Sequence, residues 1–312
     1  MQTVDGSASA ASVWTKWVES LVSKDAITKA NSFFTLYVAP VFLKKPISKI
    51  TEGDLQTILD SAVKKGLAWK SIANIRGSLA AFAKWVRMNH YANISTQDLS
   101  ISKTAKKGKK EILQPDDIRK MWQDNNSVYI NLFRIAVLTG LRPGELVGLK
   151  WSDINDSRLH VQRSINNKGK ITPGKNENAT RTIWLGKYEL DVLEDQRKLL
   201  KKRGIISPWM FPRKDGNHTS QSTVVNSWQL YCKKTGISSK VTPYGWRHTF
   251  VSINNDMPSG LKSRRVGHAI SMDTEGIYGK AVVGEDEQAS QYVEQRFDAI
   301  FSDSQKHTQK HT

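Results

Sequence analysis

From Trp69 to Met88 the large apolar side chains fall at Ile72, Ile75, Leu79, Phe82 and Val86. At about 100° per residue this spacing gathers them into one stripe, the pattern of an amphipathic α-helix. The runs Val13 to Val22, Thr28 to Val38 and Thr51 to Lys65 follow the same period, so residues 13–102 are expected to fold as an all-α domain. The other side of the Trp69–Met88 helix carries Lys70, Asn74, Gly77, Ser78, Ala81 and Lys84. Small residues flanked by lysine and asparagine suit a helix lying close to a duplex groove. As it stands, the same face also reads as an ordinary solvated one.

Charge narrows the choice. Lys and Arg number 47 against 29 Asp and Glu, a formal net charge of +18. By segment the balance is +10 for residues 1–110, +11 for 111–280 and −3 for 281–312. Two consecutive folded segments are basic, rather than a basic arm on a neutral enzyme, which points to a polyanion gripped by both. The run Lys103-Thr-Ala-Lys-Lys-Gly-Lys-Lys110 is a linker by composition, either a solvated hinge or a strap across phosphates, with Lys106, Lys107, Lys109 and Lys110 as DNA-binding candidates beside Lys70, Asn74 and Lys84. One cysteine, Cys232, excludes an internal disulfide and a thiolate cage for zinc and fits a reducing compartment. Residues 1–12 show no signal-peptide order and are expected to be disordered, and no run approaches the ~18 apolar residues of a membrane span.

From Leu113 the pattern becomes mixed. Gln114-Pro115-Asp116-Asp117 opens a helix with acidic residues in its first turn, and Asn131–Thr139 is a short apolar helix stopped by Gly140. Arg158–Ile165 alternates as a strand, Asn167-Lys-Gly169 reads as a hairpin turn, and Thr180–Leu185 is another strand. Helices are expected at Tyr188–Arg203, Thr223–Thr235, Pro243–Asn254, Asp273–Tyr278 and Gln288–Phe301. The fold class is therefore mainly α with a small antiparallel β-sheet in the second domain. The domains are 13–102, a linker 103–110, 111–280, and a tail 281–312.

Three short strings carry the chemistry. In Thr139-Gly-Leu-Arg-Pro-Gly-Glu-Leu146, Arg142 is held extended by the proline that begins the next helix. A guanidinium at a helix start suits a phosphate, with Glu145 placed to anchor its fork, although a structural Arg–Glu pair has the same local sequence. In Thr242-Pro-Tyr-Gly-Trp-Arg-His-Thr-Phe250, Tyr244 and Arg247 are three apart and share a helical face, while Trp246, Phe250 and Ile253 point into a core. In Val266-Gly-His268, a histidine follows a glycine at a helix end, and Tyr278 lies ten residues on. Taken singly, such a histidine or tyrosine is more often structural than functional.

In this order and spacing, from about Leu113 to Lys280, the set closely resembles the tyrosine recombinase (phage integrase) family. The local strings are most similar to those of integrases from conjugative transposons and prophages of Firmicutes. Residues 13–102 look like the family's helical core-binding, SAM-like domain. The resemblance implies that Arg142 and Arg247 clamp the scissile phosphate, that His268 donates a further hydrogen bond, and that Tyr278 is the nucleophile. Lys175, counted back from Arg181-Thr-Ile183, matches the lysine of the family's β-hairpin turn, with Lys168 and Lys170 as neighbouring competitors. The usual second box is His-x-x-Arg; here Tyr244 stands in the histidine's place, and a phenol with an ordinary pKa of about 10 is a poor general base at neutral pH.

The resemblance further implies DNA cleavage and rejoining through a 3′-phosphotyrosyl link and a Holliday junction, on double-stranded DNA, by a homotetramer spanning two duplexes. No cofactor or metal is expected, in keeping with the lack of a Gly-rich Lys-Ser/Thr loop and of an obvious two-metal carboxylate cluster. Accessory DNA-bending or directionality proteins and a location in the bacterial cytoplasm, at the nucleoid, are part of the same expectation. The acidic tail, with Tyr292, Val293, Phe297, Ile300 and Phe301 in helical spacing, either docks on a neighbouring protomer or packs on its own domain. The stretch before Val13 leaves little room for the arm-binding domain that many such integrases carry. Type IB topoisomerase-like relaxation and a non-catalytic DNA-binding regulator are the alternatives from other classes.

Overall fold

Two separate hydrophobic cores organise the chain, one within Met1–Lys109 and one within Lys110–Thr312. The structure is a computed structural model that describes residues 6–108, 110–125, 127–172, 180–238, 240–267 and 285–308.

The first unit is helical: α1 (Ala10–Glu19), α2 (Lys24–Phe33), α3 (Ala39–Phe42), α4 (Glu52–Lys64) and α5 (Trp69–Met88). The α5 stripe Ile72, Ile75, Leu79, Phe82 and Val86 is buried, against Trp14 and Trp17 of α1 and Phe42 of α3. Side chains fix the helix starts. Ser9 accepts the Ser12 amide, Ser23 the Ala26 amide, and Thr51 and Asp54 form a reciprocal capping box. Between α2 and α3 the backbone widens into a π-helical turn, Phe34–Val38, where the Leu36 carbonyl accepts from Lys65 Nζ at 2.9 Å.

Two expectations for this unit are corrected. The disorder expected over residues 1–12 does not extend to residues 8–12, residues 1–5 lying outside the described residues, and α1 begins at Ala10 rather than Val13. The Ile47 amide donates to the Ala8 carbonyl at 2.8 Å and Ala10 is fully buried, so residues 8–12 are held by backbone bonds and a cap. The basic run is not a free linker throughout. Ala105 is buried in the helical core, and the Trp69 amide donates to the Lys106 carbonyl at 2.9 Å.

The second unit contains α6 (Pro115–Gln123), α7 (Ile130–Thr139), α8 (Pro143–Leu146), β1 (Ile154–Asn155), β2 (Arg158–Val161), β3 (Ser164–Ile165), β4 (Ile171–Thr172), β5 (Arg181–Trp184), α9 (Lys187–Lys202), α10 (Gln221–Thr235), α11 (Pro243–Ile253), α12 (Ser259–Val266) and α13 (Glu285–Thr308). The strands form an antiparallel sheet ordered β1-β2-β5 and a separate β3–β4 hairpin, turned at Gly169 with φ +76°. The single strand expected over Arg158–Ile165 is thus two. It breaks where Arg163 and Gln162 turn their side chains to the buried Asp153.

Phe133 of α7, Trp228 of α10 and Trp246 of α11 meet with ring centroids 5.0–5.2 Å apart, which fixes α11 against α7. At the end of α7, Gly140 adopts φ +65°, and a Cβ there would lie 2.7 Å from the Phe250 ring. The turn therefore needs glycine both for its dihedral and for its space.

The expected helix Gln288–Phe301 runs from Glu285 to Thr308, and of the two surfaces its apolar face could cover it packs on its own unit. Val293 and Phe297 are fully buried, Phe297 beside Trp122 and Tyr188. Glu294 accepts the Lys187 amide, Asp298 accepts the Tyr188 hydroxyl, and the Ile300 carbonyl accepts from Arg119. The expected helix Asp273–Tyr278 lies outside the described residues. Phe297→Ala should cost about 3–5 kcal/mol in urea unfolding of the chain; a loss below about 1 kcal/mol would contradict docking of α13 in its own core.

Candidate active site

Arg142 is the extended residue ahead of α8, at φ −69° and ψ 150°, as its place before Pro143 requires. Its amide donates to Glu145 Oε2 at 3.0 Å and its Nη1 to Glu145 Oε1 at 2.7 Å, so one carboxylate both caps the helix start and orients the guanidinium. Its Nη2 donates to the carbonyl of Gly267 at 2.6 Å. Gly267 closes α12 at φ +66°, which turns that carbonyl toward Arg142.

Arg247 approaches from α11. Thr242 and Pro243 begin that helix as the sequence reading has it, although the Thr242 side chain makes no capping bond. Arg247 is 5% exposed, and its Nη1 donates to the Gly140 carbonyl at 2.9 Å. Two left-handed glycines at helix ends thus hold the two arginines by their carbonyls. Arg247 Nη2 is buried without a hydrogen-bond partner among the described residues. Burial, and then the positive charge of Arg142, push the Arg247 guanidinium down to about 10. It is still charged at neutral pH. Because the unfolded chain holds this proton more tightly, the charge weakens the fold at every pH below about 10 and is relieved only above it.

A third guanidinium completes the cluster. Arg181 of β5 donates through Nη2 to Glu145 Oε2 at 2.9 Å, through Nη1 to Oε1 at 3.3 Å, and through Nε to the Arg265 carbonyl at 2.8 Å. Burial alone would raise the Glu145 carboxyl, but the hydrogen bond and charge of Arg181, then the bonds from Arg142, hold it below its ordinary range. Three guanidiniums around one carboxylate leave the cradle positive, and an oxyanion is the ligand that balances it. In the sequence alone, Arg181 serves only as the landmark from which Lys175 is counted back. The signal for it was alternation: Arg181 and Ile183 lie on the same inward side of β5, where an arginine needs a buried partner. Beneath it, Arg265 is buried in an ion pair with Glu189, which sequence reasoning also missed.

Tyr244, one turn before Arg247, is 56% exposed, close enough for the two to interact electrostatically. Lys175, His268 and Tyr278 lie outside the described residues. Arg142 and Arg247 therefore come together, with Tyr244 at the rim and the chain leading to His268 fixed at Gly267. In the helical unit, Lys70, Asn74 and Lys84 are exposed along one side of α5. A Cβ on Gly77 would meet nothing within 4 Å, so at this point of the helix no described residue packs over it. The bond from the Trp69 amide brings exposed Lys106 to the start of α5, and Lys107 lies with Nζ 5.8 Å from the Trp69 ring centre. Lys110 is exposed in the second unit, and Lys109 lies outside the described residues.

The helical unit followed by a mixed unit was compared with known proteins. The profile of the phage integrase family matches residues 87–281, and the chain belongs to that family. It is 24% identical over 266 residues to the ICEBs1 integrase of Bacillus subtilis (strain 168), covering 78% of this chain and 70% of that protein. With prophage integrase IntR of Escherichia coli (strain K12) it shares 22% over 310 residues, 86% of this chain and 74% of that one. Among solved structures, the Tn1549 transposon integrase (residues 82–397) in complex with circular intermediate DNA superposes with a TM-score of 0.73 at 17% identity, over 90% of this chain and 99% of that chain. A lambda integrase tetramer bound to a Holliday junction gives 0.64 at 20% identity, over 89% of this chain and 79% of that chain. These likenesses establish the fold. No helix among the described residues is long and apolar enough to cross a membrane.

Because the Glu145 carboxyl is held low in the folded chain, its contribution to stability is complete above the ordinary glutamate value of 4.5 and disappears as pH falls through the lowered folded value. The difference in unfolding free energy between the native chain and Glu145→Gln should therefore shrink below pH 4.5 and be constant above it. A difference independent of pH across that window would contradict an ionised Glu145 between the two arginines.

Proposed function

We propose that the chain is a site-specific DNA recombinase that integrates or excises a mobile element by tyrosine transesterification. The observation that carries this reading is the cradle, where Arg142 and Arg247, 105 residues apart in sequence, are held on glycine carbonyls, with a buried Arg247 donor that has no partner among the described residues. Such an array suits one phosphodiester whose charge rises as a fifth oxygen approaches phosphorus.

In this mechanism Arg142 and Arg247 bind the non-bridging oxygens and His268 adds a hydrogen bond to them. The Tyr278 phenol oxygen attacks phosphorus and gives up its proton to solvent as the bond from phosphorus to the 5′-oxygen breaks. Lys175 supplies a proton to the leaving 5′-oxygen. The product is a 3′-phosphotyrosyl link and a free 5′-hydroxyl. A 5′-hydroxyl of the partner duplex then attacks phosphorus, releases Tyr278 and reseals the strand; two such rounds pass through a Holliday junction. Because the phosphodiester is exchanged rather than hydrolysed, its bond energy is kept in the covalent intermediate. Tyr244 hydrogen-bonds the phosphate or the nucleophile from the rim, without acting as a strong base.

Lys70, Asn74 and Lys84 on α5, with Lys106, Lys107, Lys109 and Lys110 of the basic run, hold the duplex backbone. Four copies act on two duplexes in the bacterial cytoplasm, with accessory DNA-bending or directionality proteins.

On a nicked suicide duplex carrying the element's end, Tyr278→Phe should bind as the native chain does and give no adduct on a denaturing gel, because only the nucleophilic oxygen is removed. Persisting adducts would overturn the assignment of Tyr278, and tight binding without any adduct from the native chain would favour a non-catalytic regulator. Tyr244→His should form adduct at the native rate or faster. A large loss would mean that the phenol fills a role the imidazole cannot.

A further inference from the structure

Arg181 takes no part in the mechanism above, yet it is tied to the part of the cradle's frame that holds Arg142. The bonds close a ring: Arg142 to Glu145, Glu145 to Arg181, Arg181 to the Arg265 carbonyl, along the backbone through Val266 to Gly267, and from the Gly267 carbonyl back to Arg142. The side chain of Arg181 is only 8% exposed and that of Glu145 4%, so water cannot replace either partner freely. Arg181 also begins β5, the strand that follows residues 173–179, where Lys175 lies. The Arg265 carbonyl that it grips is two residues before Gly267, and Arg265 is itself locked by Glu189 and by the Trp184 carbonyl of β5.

We infer that Arg181 is a positioning residue for strand cleavage, fixing Arg142 through Glu145 and fixing the end of α12 through the Arg265 carbonyl. It does not touch the phosphate. The charged groups that face Glu145 among the described residues are Arg142, from the start of α8, Arg181, from β5, and at longer range Arg247, from α11; all are cations. Without Arg181, Glu145 loses its strongest anchor while keeping its burial, so its carboxyl takes up a proton at a higher pH. A protonated Glu145 no longer pairs with Arg142 as an ion, and the guanidinium is freed from its orientation.

This inference rests on the recombinase reading, and the test separates the two. Adduct formation on the suicide duplex is followed against pH for the native chain, Arg181→Met, Arg181→Lys, Glu145→Gln and the double variant Arg181→Met/Glu145→Gln, together with duplex binding and urea unfolding. Arg181→Met should bind DNA as before but cleave about 10–100-fold more slowly, the loss expected when a reacting contact is displaced by about 1 Å. Its rate should fall further on the acid side, at a pH where the native rate is flat. Arg181→Lys, which keeps the charge but not the fork, should recover part of the rate and remain informative if the methionine variant does not fold. The double variant should lack the added acid limb and be no slower than the slower single variant, because both changes break one ring.

A folded Arg181→Met or Arg181→Lys with the native cleavage rate and pH profile would overturn the inference while leaving the recombinase reading intact. A lowered rate with no new acid limb would overturn it as well, since Arg181 would then be merely structural. A native chain that forms no adduct on a verified site would instead overturn the recombinase reading, and this inference with it.

Discussion

The cradle depends on a single carboxylate. Glu145 is buried at the start of a one-turn helix and accepts from two guanidiniums and a backbone amide. Removing either arginine would leave a buried charge short of a partner, a far more costly state than an exposed broken pair. The site is therefore assembled around a fixed negative point, and the cations it gathers outnumber it. That excess is a cost in the free chain, visible in the depressed Arg247 guanidinium and in its Nη2, which has no partner among the described residues. A bound oxyanion would relieve it, so the same arrangement that burdens folding favours phosphate.

Backbone geometry makes this possible. Gly140 and Gly267 both end helices in the left-handed conformation, and each aims a carbonyl at one of the two arginines. Aromatic packing of Phe133, Trp228 and Trp246 sets the distance between α7 and α11, and so between Gly140 and Arg247. A large apolar core thus positions two small polar contacts, and side-chain reach does the rest. The tail joins the same core: α13 packs Phe297 against Trp122 and Tyr188.

Much of this was legible in the sequence, and the boundary of what was legible follows physical lines. The α5 helix has the limits that its period marks, because a strong stripe constrains twenty residues at once. Arg142 and Glu145 were readable as a pair because they are local, three residues apart across a proline-led turn. Arg181 and the Arg265–Glu189 pair were not, since their partners lie 36 and 76 residues away. The break between β2 and β3 escaped notice for a similar reason: alternation continues through it, and only the long-range pull of Asp153 on Gln162 and Arg163 divides the strand. The order of residues 8–12 depends on backbone hydrogen bonds with Lys45 and Ile47, which composition cannot reveal. For the tail, helical spacing specified an apolar face but not which surface it would cover.

The central claim is that this cradle presents a phosphodiester to Tyr278. Its most direct test is to trap the covalent complex on a suicide duplex, digest both protein and DNA, and locate the attached nucleotide by mass spectrometry. The account predicts a nucleotide joined through its 3′-phosphate to the peptide containing Tyr278, formed by the native chain and lost when Arg247 is replaced by methionine. A nucleotide attached to any other residue, or through a 5′-phosphate, would contradict it.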